Sequence, residues 1–283
     1  MYGRKQTQIC ALLAIIAVFS FSAFSADEAP KPLKALLVCG GCCHDYTKQK
    51  TILKKGLEER CNIEVTIAHD PDNGTKHKNP IYDNPDWAKG YDVIIHDECS
   101  ADVKDLDVIN NVILKPHMDG LPGVVLHCGM HCYRSEGWPE KAVTPWFKFT
   151  GLETTGHGAQ LPIEITYVDT ASPITKGLEN WTTIHEELYN NIHHKLLDTA
   201  HPLARGKQTS KDKEFKEKID DNICTWTNMF NEKTRVFATT VGHNNETCSD
   251  PKYLDLVTRG LLWACNKLGD DGKPIAGYGP VTK

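Results

Sequence analysis

Short apolar runs that break off into histidine, cysteine and carboxylate recur along this chain, and nothing else in it constrains the fold as tightly. Leu36-Leu37-Val38-Cys39 runs into Gly40-Gly41-Cys42-Cys43-His44-Asp45, Val93-Ile94-Ile95 into His96-Asp97-Glu98, and Val236-Phe237-Ala238-Thr239-Thr240-Val241 into Gly242-His243. The fullest case is Gly123-Val124-Val125-Leu126, which ends in His127-Cys128-Gly129-Met130-His131-Cys132. Unbroken runs of this kind read as strands buried on both faces, and in open parallel sheets ligands bind in the crevice beyond the strand C-termini. The four ends are therefore expected on one rim, where they make one site.

Helical patterns lie between the runs. Ile52, Leu53, Gly56 and Leu57 share one face, and Val103, Leu106, Ile109 and Ile113 share another before Pro116, which is expected to stop that helix. Ile63 to Ile67 alternates at the period of a strand, and a turn-rich loop follows from Asp70 to Pro85. This βαβ succession predicts an α/β fold with a doubly wound, mostly parallel sheet. Later, Leu161 to Val168 and Arg235 to Val241 read as strands, with shorter β pieces at Thr183 to Tyr189 and Ile223 to Trp226. Leu254, Val257, Leu261, Ala264 and Leu268 mark a final helix with Gly269 at its C-cap. With no repeat or linker in between, the reading is a single domain over 34–268 and a loose C-terminal tail over 269–283.

Residues 1–25 have the composition of a signal peptide: Arg4 and Lys5, an apolar run from Ile9 to Phe24, and Ala23-Phe24-Ser25 before Ala26. Export to a periplasmic or extracellular compartment is expected, with no stable membrane insertion after cleavage. Loss of Arg4 and Lys5 leaves 30 of the 32 basic residues against 37 acidic ones, a formal charge of about −7, with no basic stripe to neutralise phosphates. Nucleic acid is excluded as a partner on that ground. The run Lys207 to Lys218, broken by Asp212, Glu214 and Glu217, reads as a solvated loop or helix face. Of eleven cysteines, ten outlast cleavage, and none falls into the paired C-x-x-C spacing of a zinc ribbon.

The ordered motifs resemble those of the ThuA-like (trehalose utilisation) family, whose domain has a class I glutamine amidotransferase-like, flavodoxin-related fold. They are the His44-Asp45 turn, the His127 strand end, Gly156-His157, Ser172-Pro173-Ile174-Thr175-Lys176-Gly177-Leu178, Glu186-Glu187-Leu188-Tyr189, Arg235-Val236-Phe237 with Gly242-His243, and Arg259-Gly260-Leu261-Leu262-Trp263-Ala264. The chain departs from the family pattern at Glu186, where Asp is usual, at Cys128, where a small residue is usual, and at the turn Asn231 to Thr234. The resemblance implies a small-molecule carbohydrate partner, a disaccharide or an oxidised (keto) sugar in carbohydrate catabolism.

His127, His243, His157 and Glu187 are the expected catalytic groups, because imidazole titrates near neutral pH and can serve as acid and base on a sugar. Asp45, Asp97, Glu186, Tyr189 and Trp226 are expected to bind substrate, with Asn190, Asn191, Trp138 and Trp146 as further candidates, since carboxylates and amides satisfy hydroxyls and aromatic faces cover sugar CH groups. At most one divalent metal, zinc, would draw on His44, His127, His131 and His243, and no nucleotide cofactor is expected. His69, His77, His117, His193, His194 and His201 read as surface or loop residues. Two other readings stand. In glutaminase-type members of the fold the matching strand ends at a nucleophilic Cys served by a late His, and Cys128 and His243 occupy comparable places, with Glu246 three residues on. A non-catalytic sugar-binding module would need only the aromatics and carboxylates; the histidine-rich strand ends favour an enzyme.

Overall fold

The computed structural model describes residues 30–135, 138–139, 143–191 and 196–281. The signal segment, His193 and His194 lie outside them. The first four strands are β1 (Leu33–Gly41), β2 (Ile63–Asp70), β3 (Val93–Cys99) and β4 (Gly123–Leu126). Then come β5 (His157–Leu161), β6 (Glu164–Tyr167), β7 (Trp181–Thr182), β8 (Glu186–Tyr189), β9 (Ala200–Lys211), β10 (Glu217–Phe230) and β11 (Thr234–Thr239). Nine of these form one sheet in the order β2-β1-β3-β4-β11-β10-β9-β6-β7. From β2 to β11 every pairing is parallel, and beyond β11 every pairing is antiparallel. The expected mostly parallel sheet is thus a mixed one, half parallel by strand pairing. The cause is local: β9 and β10 are joined by only residues 212–216, and so short a connection permits only antiparallel neighbours.

Numbered among themselves, the parallel strands run 2-1-3-4-5, the flavodoxin-like order, with its switch point between β1 and β3. Period-two geometry divides each strand between two cores. Ala35, Leu37 and Cys39 of β1 face α1 (Tyr46–Glu58) and, later in the chain, the helix Pro251–Ala264, whereas Leu36 and Val38 face the layer that holds Ile109, Ile113 and Phe149. Helices cover both faces of the parallel half, as a doubly wound arrangement requires.

Several elements differ from their sequence reading. The helix expected to stop at Pro116 is a chain of short turns, α2 (Leu106–Val108), a π turn (Ile109–Ile113) and α3 (Lys115–Met118), and Pro116 sits in the first turn of α3, where its missing N–H costs nothing. The Leu161 to Val168 strand is split at Pro162, which cannot donate to a ladder, so β5 leaves the main sheet and pairs with β8. Lys207 to Lys218 is the tip of the β9–β10 hairpin, where alternation of charge sits on exposed strand positions. The short piece at Ile223 to Trp226 belongs to the 14-residue strand β10.

Further on come α4 (Pro145–Thr150), α5 (Asn245–Ser249) and α6 (Pro251–Ala264). α6 starts at an Asp250 cap whose carboxylate accepts from Lys252 N. It ends at Cys265 and Asn266, the latter left-handed at φ 57°, so Asn266 and not Gly269 terminates it. The segment that follows is not loose. Leu268 bridges to Pro274, Tyr278 packs on the core beside α6, and its carbonyl accepts from Asn62 N at 3.1 Å.

Candidate functional site

The C-terminal ends of β1, β3, β4 and β11 lie side by side, and each turns sharply into the residues that matter. Gly41 has φ +92°, and a Cβ there would stand 2.2 Å from the Cys99 carbonyl oxygen, so only glycine lets the β1 turn cross the end of β3. Gly242, at φ +127°, does the same beside the Tyr253 hydroxyl and delivers His243. His127, itself left-handed at φ 40°, opens a 3-10 turn (His127–His131) directly after β4. The β5–β8 pair lies over this rim and brings His157, Gln160, Glu187 and Tyr189 to a cavity of about 360 Å³ shared with His44, His131 and His243.

Three imidazoles converge at this rim. The ring centroids of His44 and His127 are 4.6 Å apart, those of His44 and His243 4.8 Å, and those of His127 and His243 5.4 Å, all close to edge-on. One ligand atom from each lies within 4.8 Å of the others, so the group can hold a metal ion. His127 Nδ1 sits 2.6 Å from the Thr240 carbonyl, which can only accept, so Nδ1 carries a proton. Tyr189 OH lies 3.2 Å from that Nε2.

Glu187 is the hub. Its Oε2 lies 3.5 Å from His127 Nε2, 3.3 Å from His157 Nε2 and 3.3 Å from His243 Nδ1, while Oε1 accepts from Gln160 Nε2 at 3.1 Å. Burial raises the carboxyl, but the close imidazoles of His127 and His243 outweigh it and hold the group well below the usual carboxylate range. The same contact with Glu187 raises His243. His44 goes the other way: burial, then repulsion from His127 and His243, lowers it to about 2, so it is a neutral imidazole.

Cysteines form the neighbouring wall. Cys42 and Cys43 are disulfide-bonded, Cys42 Sγ lies 3.3 Å from Cys99 Sγ, and Cys128 donates to Cys99 at 2.7 Å. The hydrogen bond to Cys99, followed by burial, pushes the Cys128 thiol up. The expected Cys128–His243 dyad is therefore not formed: the thiol is spent on another sulfur and held protonated, and His243 is engaged with Glu187 and Gln160.

Other expected site residues serve the scaffold. Trp226 is fully buried and its indole N–H donates to the Thr150 carbonyl at 2.7 Å, so it offers no face to a ligand. Trp146 is likewise buried and bonded to Gly129. Glu186 accepts from the backbone N–H groups of His243 and Asn244, at 3.1 and 3.2 Å, and so fixes the loop that carries His243. Asp45 caps α1 and pairs with Lys48 and Asn245. Asp97 is buried off the cavity wall, where desolvation and then Glu98 raise it to about 7. Asn190 and Asn191 bond to backbone at Thr155, Gly156 and Ile223. His131 lines the cavity but is excluded from the three-histidine group, its ring stacked on Tyr189 and its Nε2 bonded to Thr154. Tyr189 does face the cavity. His77 and His117, read as surface residues, are buried, the latter in a chain with His96, Glu98 and Tyr82. Gln160 and Arg134, which line the cavity, had no signal in the sequence beyond their polarity.

Fold and site together define an α/β protein with a histidine–carboxylate centre at the rim of its parallel half. The chain belongs to the ThuA (trehalose utilisation) family, whose model matches residues 34–264. No curated protein matches it. Among solved structures, a ThuA-like protein from Parabacteroides merdae is 20% identical at TM-score 0.62, with 89% of this chain and 98% of that one covered; at this identity the likeness speaks to the fold alone. The exo-beta-1,4-mannosidase Op5Man5 from Opitutaceae bacterium strain TAV5 (12% identity, TM-score 0.39, 83% and 35% covered) and the Trypanosoma brucei CTPS glutaminase domain with bound acivicin (11%, 0.44, 87% and 99%) are too distant to carry an argument. Among the described residues no helix is long and apolar enough to cross a membrane.

Proposed function

We propose that this protein is an exported enzyme that acts on a disaccharide or keto sugar by acid–base chemistry at the Glu187 centre, on a class I glutamine amidotransferase-like fold. One observation carries the reading: a single buried carboxylate within 3.5 Å of three imidazoles, two of which, His157 and His243, line one open cavity. A carboxylate so placed orients histidines and stabilises their protonated forms, which is what a proton shuttle needs. His243, raised by Glu187 and only partly buried, is the acid–base group; His157, half-exposed at the mouth, meets the solvent side. Glu187 is a positioning residue here, since its oxygens are occupied by the chain's own groups.

The donor set fits one divalent cation, zinc, at His44, His127 and His243. His44 Nδ1 is buried with no partner, and the Thr240 carbonyl fixes the His127 tautomer in the manner of a second-layer support for a ligand. When bound, such an ion supplies polarisation of a sugar carbonyl or hydroxyl oxygen. Metal analysis of the mature protein, joined to a screen of disaccharides and their keto forms for turnover, tests the proposal; no turnover of any sugar overturns it.

A further inference from the structure

Arg134 stands out among the cavity residues because no carboxylate among the described residues forms an ion pair with its guanidinium. The other described arginines, Arg60, Arg205, Arg235 and Arg259, each donate to a carboxylate or carbonyl. The Arg134 guanidinium has no ion pair or hydrogen bond among the described residues, and its Nε is shielded from solvent without a partner. It is nonetheless held in place. Its backbone N–H donates to the Ala101 carbonyl, and its guanidinium carbon lies 4.2 Å over the Trp138 ring, a stacking that leaves the in-plane donors free.

The described carboxylates around it have other partners or are weakened by burial. Asp102 is taken by Thr75 and Lys104, and Glu187 by the histidines and Gln160. Glu153 makes no ion pair with Arg134; burial lifts it to about 7 even though the Arg134 charge pulls it down, which weakens it as a counter-charge. A planar fork of donors on the wall of a cavity, preorganised by an aromatic ring and without an ion-paired carboxylate among the described residues, is the arrangement that recognises an external anion. The same cavity is lined by His157, Gln160, Glu187 and His243. The volume falls within the roughly 300–1,000 Å³ of small-molecule sites, so one ligand can meet Arg134 and these groups together.

We infer that the substrate is an acidic sugar, whose oxyanion is held by Arg134 while its hydroxylated ring faces the Glu187 centre. This rests on the sugar reading above and adds the substrate's charge. A carboxylate and a phosphate present the same oxyanion chemistry to the fork, and a uronic acid and a sugar phosphate separate the two.

Calorimetric titration of the intact protein with D-glucose, D-glucuronate and glucose 6-phosphate tests the assignment by binding, without need of turnover. At least one of the two anionic sugars is expected to bind about ten- to a hundred-fold more tightly than glucose, the range of a charge-assisted hydrogen-bonded pair. Arg134→Met, which keeps the stem over Trp138, should erase that preference and leave glucose affinity little changed; Arg134→Lys should restore part of it. Equal affinity for neutral and anionic sugars in the wild type, or an undiminished preference in Arg134→Met, overturns the inference while leaving the sugar reading intact. Absence of binding by all three overturns both.

Discussion

The Nδ1 atom of His243 lies 3.3 Å from Oε2 of Glu187, and this contact joins the loop after β11 to strand β8. His243→Ala should lower kcat by roughly two to four powers of ten with a smaller change in KM, as expected for loss of a proton-transfer group. Glu187→Gln should also act on kcat and should move the alkaline limb of the pH–rate profile down, because His243 loses the carboxylate that raises it. Steady-state kinetics with circular dichroism as a fold control measure both; wild-type turnover by His243→Ala would show that this histidine is structural.

Metal content should reach at most one divalent ion per chain, and His44→Gln and His127→Gln should each reduce it. Elemental analysis of protein purified without a chelating resin reads this. Full activity in a metal-free preparation would remove the ion and leave the acid–base chemistry alone.

Cys128→Ser should change turnover only mildly, because the thiol is hydrogen-bonded to Cys99 and held protonated. Loss of all activity, with a covalent substrate adduct at Cys128 in the wild type, would instead establish a thiolate nucleophile.

Acid should destabilise the fold through His117. Burial, then repulsion by His96, lowers its pKa from 6.5 to about 3. Between those values the unfolded chain binds a proton that the folded chain refuses, so stability falls as pH drops through that window. A plot of Tm against pH from 6.5 to 3 should be steeper for the wild type than for His117→Gln. Identical slopes would mean that His117 takes up its proton without loss of structure.

Much of the parallel half was legible in advance. The unbroken runs at Leu36, Ile94, Val124 and Val236 could only be strands covered on both sides, and their shared parallel direction placed His44, His127 and His243 together. What was misread lies where local pattern and tertiary setting part. Trp226 and Glu186 have the chemistry of sugar ligands, yet Trp226 is consumed by the core beneath α4 and Glu186 by two backbone N–H groups.

The amino-acid sequence by itself determined which faces of each element are apolar and which residues stand at strand ends, because side-chain periodicity and turn chemistry are local properties. Only the tertiary structure decided the antiparallel half, the β5–β8 pair that carries Glu187 over the rim, the exclusion of His131 from the histidine group and the placement of Arg134 over Trp138 at the cavity wall. These depend on pairings between residues tens of positions apart, such as Gln160 with His243 and Glu187 with His127. Periodicity reports that a face is buried, and long-range packing alone selects the neighbour it is buried against.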